Sequence, residues 1–108
     1  MAGVAPGSTI NLLKNVVTSA THTATMATIP LQPGVTFDGL NHTLQFNPTN
    51  YDTHGIGVNN ANEKVTIQNV TIEMCGEESS HCINIIHSIV ELRNVTVKGS
   101  KKAGVTIA

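Results

Sequence analysis

Aromatic side chains are almost absent from this 108-residue chain: two Phe, one Tyr and no Trp, 3% in all. Charged residues are also sparse, at 12%, and the formal net charge is -1. Arg93 is the single arginine, and no basic stripe exists to neutralise phosphates, so no nucleic-acid partner is expected. No apolar run approaches the roughly 18 residues that cross a bilayer as a helix, so no membrane partner is expected either. Met1–Ser8 lacks the basic patch and apolar stretch of a signal peptide. Gly55–Val58 is a glycine-containing strand rather than a phosphate-cradling loop.

What is present is a large stock of medium-sized side chains. Apolar residues make up 40% of the chain, mostly Val, Ile, Leu and Ala, accompanied by abundant Thr and Asn. Such a core is filled by many β-branched residues rather than a few rings, and β-branching favours strands.

These residues are arranged in a repeat. Val65–Glu73 recurs as Val90–Lys98, an offset of 25, and a looser copy spans Val35–Asp38 and Asn41–Phe46 with two more residues between its halves. A second motif precedes the later copies, as Gly55–Val58, Cys82–Ile85 and Gly104–Ile107. Apolar and polar residues alternate within each piece, the period of a strand with one buried face, which excludes a helical reading. Val65, Ile67, Val70 and Ile72 are expected inward; Thr66, Gln68, Thr71 and Glu73 are expected outward. A repeat of this length in strands implies stacked coils. Like residues would then stack, with Thr43, Thr71 and Thr96 in one column and Glu73 beside Lys98 as a surface ion pair.

Asn41, Asn69 and Asn94 stand at the same corner of successive copies, where asparagine tolerates the left-handed backbone of a sharp turn. Together with Gly34–Leu44, which carries Asp38-Gly39 followed by Asn41-His42-Thr43, this corner resembles the asparagine ladder and first-coil signature of the pectate-lyase-like superfamily. The resemblance runs from about Ala27 to Ala108. It implies an all-β fold, a right-handed parallel β-helix of about three to four coils with three short strands each, and an internal ladder of stacked Asn41, Asn69 and Asn94. Residues 1–15 are read as an N-terminal arm or cap, with Ile10–Leu13 over the open core, and residues 16–108 as the helix. Val16–Ala20 and Ala27–Leu31 read as strands of an irregular first coil, Asn47–His54 and Met74–His81 as loops. The chain stops at Gly104–Ala108 within a repeat, so continuation of the helix or self-association is expected there.

Superfamily lyases hold calcium on an acidic cluster, and related hydrolases use several aspartates on adjacent coils. Here the only aspartates are Asp38 and Asp52, and Asp38 sits at a turn where it would serve the backbone. No catalytic residues, metal site or cofactor are therefore assigned. His54 and His81 precede equivalent strands and are expected to be neighbours; with Tyr51, the one aromatic in a polar loop, they are the candidate ligand-binding residues. A zinc site joining them to Cys75 and Cys82 matches no standard spacing. Cys75 and Cys82 bracket a loop and read equally as a disulfide or as two thiols, with Cys82 in a position otherwise held by Gly55 and Gly104. The Asn-x-Thr triplets at Asn41, Asn69 and Asn94 fit a glycosylation pattern, but the ladder accounts for them. The expectation is a non-catalytic structural or assembly module of a surface, fibre or tailspike-type protein, extracellular or on a cell or virion surface, stacking end to end. The alternatives are a fragment of a polysaccharide lyase or hydrolase and a β-helix that binds glycan.

Overall fold

The computed structural model describes residues 7–20, 27–48, 54–75, 81–100 and 103–108. These are all strand and connection, with no helix among them. The strands are β1 (Thr9–Asn11), β2 (Val16–Ala20), β3 (Ala27–Pro30), β4 (Thr36–Pro48), β5 (His54–Asn59), β6 (Val65–Met74), β7 (Ile83–Ile86), β8 (Val90–Lys98) and β9 (Val105–Ile107).

They form two parallel sheets, one ordered β1-β4-β6-β8 with β2 also on β4, the other β3-β5-β7-β9. From β3 onward the chain alternates between the sheets, and each return adds the next strand beside the last. The register follows the sequence repeat: Val65 pairs with Val90 and Ile72 with Val97, while Ile56 pairs with Ile83 and Ile83 with Val105. Thr43, Thr71 and Thr96 fall in one line, as the repeat predicts.

The alternation of apolar and polar residues sets which face is buried. Val65, Ile67, Val70 and Ile72 are each 3% exposed or less, and the intervening Thr66, Gln68, Thr71 and Glu73 are partly exposed. Both phenylalanines, Phe37 and Phe46, lie in the same core, which draws residues from both sheets. Each fully buried Ile or Val contributes roughly 1.5–3 kcal/mol through lost apolar surface. Burial fades at the last strands, where Leu92 and Ile107 are exposed.

Three details depart from the sequence reading. The second and third strands of each repeat run as one element through the corner. One residue at positive φ, Asn69 at 54° or Asn94 at 52°, turns the chain without interrupting the ladder of β6 and β8. Thr9–Asn11, within the segment read as an arm or cap, is a strand paired with Thr36–Asp38; β1 and β2 lie along the two halves of β4. Glu73 and Lys98 are paired in register but form no ion pair; Glu91 instead takes Lys64, at 3.0 Å, and Arg93. The Glu91 carboxyl is held below its usual range, first by the Arg93 hydrogen bond and then by that of Lys64.

Candidate functional site

The asparagine corner is a hydrogen-bonded polar feature of the surface. Asn94 Nδ2 donates to Asn69 Oδ1 at 3.1 Å and lies 3.5 Å from Asn41 Oδ1. Asn69 Nδ2 does not continue to Asn41; it reaches Asp38 Oδ1 at 3.4 Å. The cause is the two additional residues of the first corner, which shift the register between Asp38 and His42. Leu40 and Asn41 both take positive φ there, at 50° and 65°. Gly39 must be glycine, because a Cβ would stand 2.5 Å from Asn69 O and 2.4 Å from Val70 Cβ. Asp38 accepts from Leu40 N–H at 2.9 Å and from Gln68 Nε2 at 2.9 Å. The Leu40 N–H is the main cause holding the Asp38 carboxyl below its ordinary pKa, with Gln68 next. One layer earlier, Asn15 Oδ1 accepts from Thr43 N–H at 2.8 Å.

The expectation of an internal ladder is corrected by exposure. Asn41 and Asn94 are exposed and Asn69 is partly so. The three amides, with Thr71 and Thr96, line a shallow polar groove rather than filling the core. The apolar core stays closed because apolar residues stand on either side of the turn: Phe37, Leu44 and Phe46 on β4, Val65, Ile67, Val70 and Ile72 on β6, and the partly buried Val90, Val95 and Val97 on β8.

His54 and His81 come together as their positions predict. Their rings stack with centroids 4.9 Å apart and planes 20° from parallel. His54 is buried, and His81 Nδ1 lies 2.6 Å from Ala103 O. The pair stands at the head of β5 and of the strand above it, so its placement follows from sheet register. Tyr51, the third candidate, lies outside the described residues.

Cys75 and Cys82 are free thiols in this structure. Cys82 is fully buried, with Sγ 3.5 Å from Ile72 O and 3.6 Å from Lys98 O. Burial is the main cause pushing its pKa up, and the same cause leads at the partly exposed Cys75. The small-residue requirement at this position is visible at Gly55, where a Cβ would meet Cys82 O and the Phe46 ring at 2.6 Å. Among the described residues no group of three or more His, Cys, Asp or Glu is placed to hold a metal ion.

The sequence reading missed one residue. Asn84 sits in β7 between Ile83 and Ile85, faces away from the core, and is nevertheless 8% exposed. Its x position in the repeat marks it as outward and polar, but nothing in one sequence shows that an outward position is covered.

No curated protein and no solved structure matches the chain. A family model does, over residues 5–104, and its description is "Putative pectate lyase-like adhesive domain". The match agrees with the parallel two-sheet topology and with the asparagine corner, and it covers nearly the whole sequence. The chain belongs to the family of pectate lyase-like adhesive domains.

Proposed function

We propose that the chain is a segment of right-handed parallel β-helix, with two strands in each coil, the longer one bent at the asparagine corner, that serves as a non-catalytic adhesive and structural module at a cell or virion surface. The observation that carries this reading is the strand order. The chain alternates between two parallel sheets and adds one strand to each at every return, with β6 and β8 in register at the 25-residue offset of the sequence repeat. A solenoid produces that order because each repeat buries its apolar face only against its neighbours. Family membership supplies the adhesive and surface part of the reading.

The same geometry supports self-association at the ends of the stack as part of this proposal. Among the described residues β8 and β9 each have one unpaired edge, with Leu92 and Ile107 exposed beside them. At the opposite end Ile10, Leu12, Val16, Ile29, Phe37 and Leu44 line an apolar hollow of about 340 Å³. Unlike ends of this kind suit head-to-tail contact, either with further coils of the same chain or with a second copy.

Two measurements test the reading. Beads coated with the chain should be retained on glycoprotein- or polysaccharide-coated surfaces better than beads carrying an unrelated β protein; equal retention sinks the adhesive role. Sedimentation equilibrium should show a mass that rises with concentration, and a monomer mass at every concentration counts against self-stacking.

A further inference from the structure

The triplets Asn41-His42-Thr43, Asn69-Val70-Thr71 and Asn94-Val95-Thr96 are alike in sequence and differ in structure. Contacts at the corner occupy two of the three amide nitrogens. Asn94 Nδ2 donates to Asn69 Oδ1 at 3.1 Å, and Asn69 Nδ2 donates to Asp38 Oδ1 at 3.4 Å. Asn41 enters only as an acceptor. Its Oδ1 lies 3.5 Å from Asn94 Nδ2, and its own Nδ2 bonds to none of the described residues. The corner contacts therefore account for Asn69 and Asn94 and leave the Asn41 nitrogen unused.

The longer first corner is the cause. Gly39, Leu40 and Asn41 stand between Asp38 and His42, where the next layer has Asn69 alone between Gln68 and Val70. Leu40 and Asn41 take positive φ in succession, and Asn41 is exposed although strands lie on both sides of β4. Asn69, also with a strand on each side, is only partly exposed. The exposure of Asn41 thus comes from its own corner and not from an open end of the stack. Two residues on, Thr43 pairs in register with Thr71 and is partly exposed. Asn15 Oδ1 takes the Thr43 backbone N–H at 2.8 Å, and the Thr43 hydroxyl bonds to none of the described residues. A carboxamide nitrogen and a hydroxyl two residues later are the groups that define an Asn-x-Thr acceptor for N-linked sugar.

We infer that Asn41 is a glycan attachment site, modified by a separate transferase that uses a diphosphate-activated sugar. Asn41 Nδ2 forms the new bond to C1 of the sugar. The C1–O bond to the diphosphate breaks and its electron pair leaves with the diphosphate, while one amide proton passes to a base of the transferase. Oδ1 is untouched, so the contact from Asn94 survives the transfer. The same transfer at Asn69 would set a sugar between asparagines on the strands to either side, each about 4.8 Å away. At Asn94 it would crowd the nitrogen that holds Asn69. The shallow groove formed by the three asparagines with Thr71 and Thr96 runs beside Asn41 and offers polar groups to the first sugar. An acceptor at Asn41 goes beyond the adhesive reading and does not depend on it.

The test compares the folded whole chain with the peptides that a glutamate-specific protease cuts from it. One arm supplies UDP-glucose and a soluble N-glucosyltransferase; the other supplies a lipid-linked oligosaccharide and a membrane oligosaccharyltransferase. Fragmentation mass spectra locate the sugar, and the arm that reacts identifies the donor. In the folded chain Asn41 should be modified about tenfold faster than Asn69 or Asn94, the factor expected when a retained hydrogen bond must first be broken. In the peptides, where the corner contacts are gone, the three rates should converge. Thr43→Val should abolish transfer to Asn41, and Thr43→Ser should restore most of it. Both replacements suit an outward strand position, and circular dichroism reports whether each variant is folded. Transfer to Asn69 or Asn94 as fast as to Asn41 in the folded chain overturns the assignment. So does a folded chain that takes no sugar in either arm, whether or not its peptides do.

Discussion

Asn94 Nδ2 and Asn69 Oδ1 are joined by a 3.1 Å hydrogen bond between residues 25 apart in the chain. Both residues hold positive φ, so each asparagine does two things at once. Its backbone turns the strand through the corner, and its amide ties that corner to the next. The bond lies at the surface, where water competes, so the backbone role should outweigh the hydrogen bond.

The first prediction separates those roles. Asn69→Ala places a Cβ-bearing residue with no compensating side chain at φ 54° and removes the amide. It should cost about 2–3 kcal/mol, the sum of a left-handed residue and lost hydrogen bonds. Asn69→Gly retains the backbone freedom and should cost roughly 1 kcal/mol. Urea unfolding of both variants checks the order; equal losses would mean that the amide alone matters.

Acid should loosen the same corner. The folded pKa of Asp38 is depressed, chiefly by the Leu40 N–H, and that of Glu91 is depressed chiefly by Arg93. For a carboxyl lowered in the folded state, the stabilisation is present above the unfolded pKa and disappears as pH falls through the folded one. The melting temperature should therefore decline between about pH 5 and pH 2. Asp38→Asn should flatten the decline, and an unchanged slope in that variant would remove Asp38 from the account.

Much of this arrangement can be read in the sequence, because period-two patterning and a fixed offset both act through local geometry. Val65 over Val90 follows once the 25-residue offset is found, and His54 beside His81 once Gly55–Val58 is laid over Cys82–Ile85. The outward turn of Asn41 and Asn94 was not legible: an Asn at positive φ has the same sequence signature whether its amide faces core or water. The lost Glu73–Lys98 ion pair has a similar reason, since register brings two backbones together but leaves long side chains free to choose other partners. Asn84 escaped because burial of an outward residue depends on what the fold lays over it.

Glycine at 55 is fixed by close approach rather than by backbone conformation. An added Cβ would stand 2.6 Å from Cys82 O and from a Phe46 ring carbon, in a buried site. Gly55→Ala should destabilise by about 2–3 kcal/mol, because a backbone carbonyl cannot step aside cheaply. At Gly104 the nearest group is instead the Val97 side chain, also at 2.6 Å, on a strand at the sheet's edge. Gly104→Ala should cost about 1 kcal/mol. Thermal or urea unfolding of the two variants compares them, and equal costs would refute the distinction.

The two thiols should differ in reactivity. Cys82 is fully buried and Cys75 is partly exposed, and both carry pKa values raised first by burial. A thiol reagent at neutral pH should label Cys75 slowly and Cys82 only after unfolding, since the thiolate is the reactive form. Labelling of both in denaturant, followed by mass spectrometry of the peptides, gives the reference. Native labelling at equal rates would show that the packing around Cys82 opens on the time scale of the reaction.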